Sequence, residues 1–108
     1  MREMRTWREY LIEKFADREK AISYLQVALE EYQVDGDAAA LMLALQTVVE
    51  AQGGIHELAN RIHTAPQTAL KMLSSDNTPT LDTLGTILNA LGWRLSIEPL
   101  EEAIPSLE

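Results

Sequence analysis

The stretch that most constrains this chain is residues 55–74, Ile55-His-Glu-Leu58-Ala59-Asn-Arg61-Ile62-His63-Thr64-Ala-Pro66-Gln67-Thr68-Ala69-Leu70-Lys71-Met72-Leu73-Ser74. It reads as two short helices broken at His63-Thr64. Ile55, Leu58, Ala59 and Ile62 follow the i, i+3, i+4, i+7 spacing of one buried helical face. At the break, Thr64 with Gln67 three residues on has the spacing of a capping box. Pro66 falls in the opening turn of the second helix, where a missing N–H does no harm. Ala69, Met72 and Leu73 share one side of that helix, and Gln67, Thr68, Leu70, Lys71 and Ser74 occupy the others. Two short helices joined by a tight turn form a helix-turn-helix unit, whose second helix can enter the DNA major groove. The small Ala59 suits a close crossing of the two helices.

The flanks read as further helices. Thr6 with Glu9 is another capping-box spacing, followed by Trp7, Leu11 and Phe15 at i, i+4, i+8, so a short helix over residues 6–15 is expected to lay a stripe on its own domain, with docking of a partner as the alternative. Arg2, Arg5 and Arg8 are read as a solvated terminus, with a basic arm for a DNA backbone as the alternative. Asp17 is expected to cap a helix reaching about Tyr32, with Ala21, Ile22, Leu25, Ala28, Leu29 and Tyr32 inward, before a turn at Asp35-Gly36-Asp37. Residues 38–52 carry the widest apolar stripe, Leu41, Met42, Leu45, Val48 and Val49, broadened by Leu43 and Ala44, and Gly53-Gly54 ends it. Thr80 is expected to cap a helix with Leu81, Leu84, Ile87, Leu88 and Leu91 inward, Gly85 permitting a close helix contact and Gly92 closing it. Trp93-Arg-Leu95-Ser-Ile97 alternates before Pro99 and reads as one short strand. A lone strand needs a partner for its backbone, so a homodimer is expected, with Trp93, Leu95 and Ile97 on one face of the pairing segment; the alternatives are that the segment folds back on the domain's own core or pairs with the N-terminal segment.

The expected fold is therefore all-α, with five or six helices and a short C-terminal β-strand. The organisation reads as an N-terminal helical extension over 1–16, a helix-turn-helix domain over 17–98 and an acidic tail over 99–108. A 46% apolar composition supports a packed core, no apolar run nears the roughly 20 residues a membrane span requires, and the cytoplasm is the expected compartment. The absence of cysteine removes disulfides and thiolate chemistry. His56 and His63 have no carboxylate or cysteine at ligand spacing, and no nucleophile-elbow or phosphate-loop sequence occurs, so neither metal, cofactor nor enzyme activity is expected.

Net charge is −8, and its distribution is uneven. Residues 35–108 hold only Arg61, Lys71 and Arg94 against ten acids. Phosphate neutralisation supplies most non-specific DNA affinity, so such a domain binds DNA weakly alone. A basic protein partner would be drawn to it.

Residues 20–98 resemble the Xre/Cro-like helix-turn-helix antidote proteins of bacterial addiction modules, the antitoxins paired with RelE-like toxins. The likeness is carried by Tyr24-Leu25-Gln-Val-Ala28-Leu29-Glu30-Glu31, Ala44-Leu45, Ala51-Gln-Gly53-Gly54, Leu58-Ala59 and Leu70-Lys-Met-Leu73-Ser74. It continues through Asn77-Thr-Pro79-Thr-Leu81-Asp-Thr83-Leu84 and Ala90-Leu91-Gly92-Trp-Arg94-Leu95. The family's Gly between the two helices is His63 here, its usual Arg at the start of the recognition helix is Pro66, and its aromatic is Leu70. The resemblance implies a lambda-repressor-like domain that represses its own operon and neutralises a basic toxin. It places operator contacts at Gln67, Thr68 and Lys71, with Leu70 on a thymine methyl and Ser74 or Arg61 on a phosphate. Gln can pair with adenine and Lys with guanine in the major groove. The competing reading is an interaction scaffold of the same fold with little or no DNA binding, which the low cation content and Pro66 favour. A stand-alone transcription factor is a third. A neighbouring small basic reading frame would separate antidote from stand-alone factor.

Overall fold

The computed structural model describes residues 6–74 and 78–100, which form six helices. They are α1 (Trp7–Lys14), α2 (Arg18–Asp35), α3 (Ala38–Ala51), α4 (Gly54–Arg61), α5 (Pro66–Met72) and α6 (Leu81–Ala90). Local chemistry sets most of these boundaries. Thr6 and Glu9 make a complete capping box on α1, Asp17 accepts from the amides of Glu19 and Lys20 on α2, Asp37 from Ala40 on α3, and Thr80 from Thr83 on α6. α2 runs on to Asp35 and stops where Gly36 takes the left-handed conformation, at φ 71°.

α3 is the centre of the molecule, packing against α1, α2 and α4. Its Leu41, Met42, Ala44, Leu45, Thr47, Val48 and Val49 are all buried, which is why its apolar stripe is so wide. Leu43, read in the sequence as widening that stripe, is instead 55% exposed. Phe15 stacks on Tyr24 with centroids 4.2 Å apart and, together with Leu11, carries α1 onto the core. Trp7 stays 71% exposed, so only part of the α1 stripe is used. Arg8 fastens the outer side of α1: Nη1 donates to the buried Thr47 hydroxyl at 2.6 Å and Nη2 pairs with Glu50. Arg8 is thus engaged within the fold, while Arg2 and Arg5 lie outside the described residues.

The expected strand at residues 93–97 is absent, and no strand occurs among the described residues. A ladder needs a second strand, and six helices supply none. Residues 93–100 have no regular structure, and their beginning is taken by the α6 terminus. Gly92, at φ 93°, donates its N–H to Asn89, and Trp93 donates its N–H to Leu88 at 2.8 Å, a Schellman closure. Trp93 packs against the core beneath the Arg18 guanidinium, 4.7 Å from the ring centroid, whereas Ile97 is 96% exposed. Alternation in the sequence therefore does not become one shared face. Gly85 also departs from expectation: a Cβ there would meet nothing within 4 Å, so no close helix contact depends on it. The acidic residues 101–108 lie outside the described residues.

Candidate nucleic-acid interface

α4 and α5 pack on each other across the break read in the sequence. Leu58 and Ala59 are buried, and Ala69 on α5 is fully so, two small side chains at the crossing. α4 ends in a second Schellman closure. His63 donates its N–H to Asn60 at 3.3 Å and Thr64 to Ala59 at 2.9 Å, with His63 at φ 59°. His63 is the only non-glycine residue with positive φ among the described residues, and it does at α4 what Gly92 does at α6. Imidazole-bearing residues enter this region more readily than most, which makes the substitution tolerable.

The capping box expected at Thr64 is not formed. The N-cap of α5 is Ala65, extended at φ −75° and ψ 150°, with no side-chain cap bond, and Pro66 is the first helical residue. Proline disfavours the α region for the residue before it, so Ala65 stays extended and the helix starts one residue later than the Thr64–Gln67 spacing suggests. Thr64 is spent instead on closing α4.

α5 is held by its inner side. Ala69 and Leu73 are buried and Met72 is half-buried, while the Gln46 side-chain amide of α3 donates to the Leu73 carbonyl at the helix end. Gln46 was not evident as a positioning residue in the sequence; its one signal is a polar amide inside an apolar helix. Gln67, Thr68, Leu70 and Lys71 are exposed, Leu70 by 60%, and Ser74 is half-buried. The structure thus brings Gln67, Thr68, Leu70 and Lys71 onto the outer surface of one short helix.

Arg61 is placed differently. Its Nε donates to Glu57 at 2.9 Å and its Nη1 to the Ala90 carbonyl at 2.9 Å, so it ties α4 to the C-terminus of α6. Between residues 35 and 100, Lys71 and Arg94 are the cations whose side chains have no partner among the described residues. His56 and His63 are both exposed, and no cluster of three metal-ligating side chains exists among the described residues. No single described helix is long and apolar enough to cross a membrane; α3 and α4 meet that length only together, bent by 91°.

An all-α domain of six helices among the described residues, its α4–α5 pair consistent with a helix-turn-helix, is the class of protein that these features define. Residues 7–99 match the family described as "probable addiction module antidote protein", and the chain belongs to that family. Neither the curated proteins nor the solved structures hold a significant match to the chain. An antidote is defined by the toxin it counters, so the family implies a toxin partner and a protein that works by binding rather than by catalysis.

Proposed function

We propose that this antidote protein also represses its own operon, binding the operator as two copies through α5. The observation that carries this reading is the exposed group Gln67, Thr68, Leu70 and Lys71 on a helix whose other side is clamped to the core by Ala69, Leu73 and Gln46. A rigidly held helix with amide, hydroxyl, methyl and ammonium groups outward matches the chemistry of base edges. Leu95 and Ile97, apolar and exposed beyond the last helix, supply the contact between copies, while Trp93 serves its own domain. One observation favours the competing scaffold reading: Arg61 is committed within the fold, leaving Lys71 as the one unpaired cation of the helix pair among the described residues.

A mobility shift on the chain's own promoter tests the proposal. Binding is expected at low salt, with a shallow dependence of log affinity on log salt because few phosphates are neutralised. Lys71→Ala should weaken it and relax the base preference at the position that Lys71 reads. Ile97→Asp should weaken it by separating the copies, seen as a monomer in sedimentation. No shift of the wild-type protein at low salt would favour the scaffold reading.

A further inference from the structure

A groove of about 280 Å³ runs between α2 and α3, away from the helix-turn-helix pair. On α2 it is lined by Tyr24, Val27, Ala28, Glu31 and Asp35, which recur on one side of that helix at i, i+3, i+4, i+7 and i+11. On α3 it is lined by Ala40, Leu43 and Ala44 at i, i+3 and i+4. Two of these side chains are apolar, large and half out of the protein, Val27 at 51% and Leu43 at 55% exposure. The charged residues of the rim are all acidic: Glu31, Asp35 and Asp37 border the groove, no lysine, arginine or histidine does, and Glu30 stands beside it.

We propose that this groove docks a basic amphipathic helix of the toxin, an assignment that rests on the antidote reading of the chain. An amphipathic helix lays apolar side chains at i, i+3, i+4 and i+7 into such a trough. Val27 and Leu43 give those side chains apolar surface to cover, which supplies affinity through area removed from water. Lysine or arginine on the flanks of the same helix meets Glu31, Asp35 and Asp37, which fixes orientation and speeds encounter. A second copy of this chain is a poor occupant. It carries the same acidic rim and a net charge of −8, so two such faces repel when brought together.

The test is titration of the nitrogen-15-labelled full chain with a synthetic helical peptide bearing leucine at i, i+3, i+4 and i+7 and lysine elsewhere. Amide shifts should concentrate around Val27, Glu31 and Leu43. Leu43→Ser and Val27→Ser, both at exposed positions, should each weaken binding about tenfold. Glu31→Gln with Asp35→Asn should weaken it and flatten its salt dependence. A peptide of the same composition with its leucines scrambled off one face should bind far less. Shifts spread over the acidic surface, or equal affinity for the scrambled peptide and for Leu43→Ser, would show charge attraction alone and overturn the proposal. A wild-type dimer that Leu43→Ser converts to monomer would overturn it as well, by assigning the groove to self-association. Promoter binding of Leu43→Ser is measured in parallel and should be unchanged. Loss of promoter binding by the wild type with localised peptide shifts would defeat the repressor reading and leave the groove standing; the reverse pattern would do the opposite.

Discussion

The Arg61 guanidinium donates to the Ala90 carbonyl at 2.9 Å, joining the last residue of α4 to the last residue of α6. The bond satisfies a carbonyl that the end of α6 leaves without a helical donor, and places positive charge at the negative end of the helix dipole. Arg61→Ala should therefore lower folding stability by about 1 kcal/mol, since a charged hydrogen bond near the surface is worth roughly that after solvent screening. The check is urea unfolding. The expected signature is a shifted midpoint with the salt slope of any DNA binding unchanged, because Arg61 is engaged in the fold and not with a phosphate.

His63 sits at φ 59°, where a side chain costs about 1–2 kcal/mol relative to the right-handed region. His63→Gly removes that cost but gives the unfolded chain more freedom, worth about 0.5–1 kcal/mol in the other direction. A net gain of about 0.5–1 kcal/mol is expected. A melting temperature that does not rise would show that the imidazole makes a compensating contact.

Gly85 lies in the middle of α6 with open space where a Cβ would stand. Gly85→Ala should stabilise the protein by about 0.5–1 kcal/mol, through helix propensity and a less mobile unfolded chain. A loss of stability in thermal or urea unfolding would indicate a contact at that face in the working protein.

Thr47 is buried to 1% exposure, donates to the Leu43 carbonyl at 2.9 Å and accepts from Arg8 at 2.6 Å. Thr47→Val keeps the shape and removes the acceptor, so α1 loses one of its two anchors on α3. We expect a cost of about 1 kcal/mol and faster proteolytic cleavage near residues 7–14 than in the wild type. Unchanged cleavage would mean that the Glu50 pair and the packing of Leu11 and Phe15 hold α1 without the Thr47 bond.

Much of the architecture was legible in the sequence because local rules and global packing agree there. Caps at Thr6, Asp17, Asp37 and Thr80, the turn at Gly36 and the apolar face of α3 each rest on spacing within one turn of helix. The break at His63 was legible for the same reason, as was the exposed side of α5. The Thr64 cap failed because two local signals competed for one residue: the spacing to Gln67 and the extended bias that Pro66 imposes on Ala65. The strand failed because alternation over five residues is a weak signal and a ladder depends on a partner that no local pattern supplies.

Sequence alone is enough to place six helical segments, the caps at Thr6, Asp17, Asp37 and Thr80 and most of the core, since each follows from periodicity and from side chains reaching backbone groups a few residues away. It also determined the acidic balance and the shortage of cations in the second half. The roles of the cations, by contrast, come from packing between distant helices. Arg8, Arg18 and Arg61 find partners 29 to 73 residues distant in Glu50, Leu91 and Ala90, contacts that no spacing rule can encode. The tertiary structure likewise decided that Trp93 belongs to the core and that Leu43 stands at the edge of an acidic groove. Periodicity says that a residue lies on a helical face; which neighbour covers that face depends on how helices far apart in the chain come together.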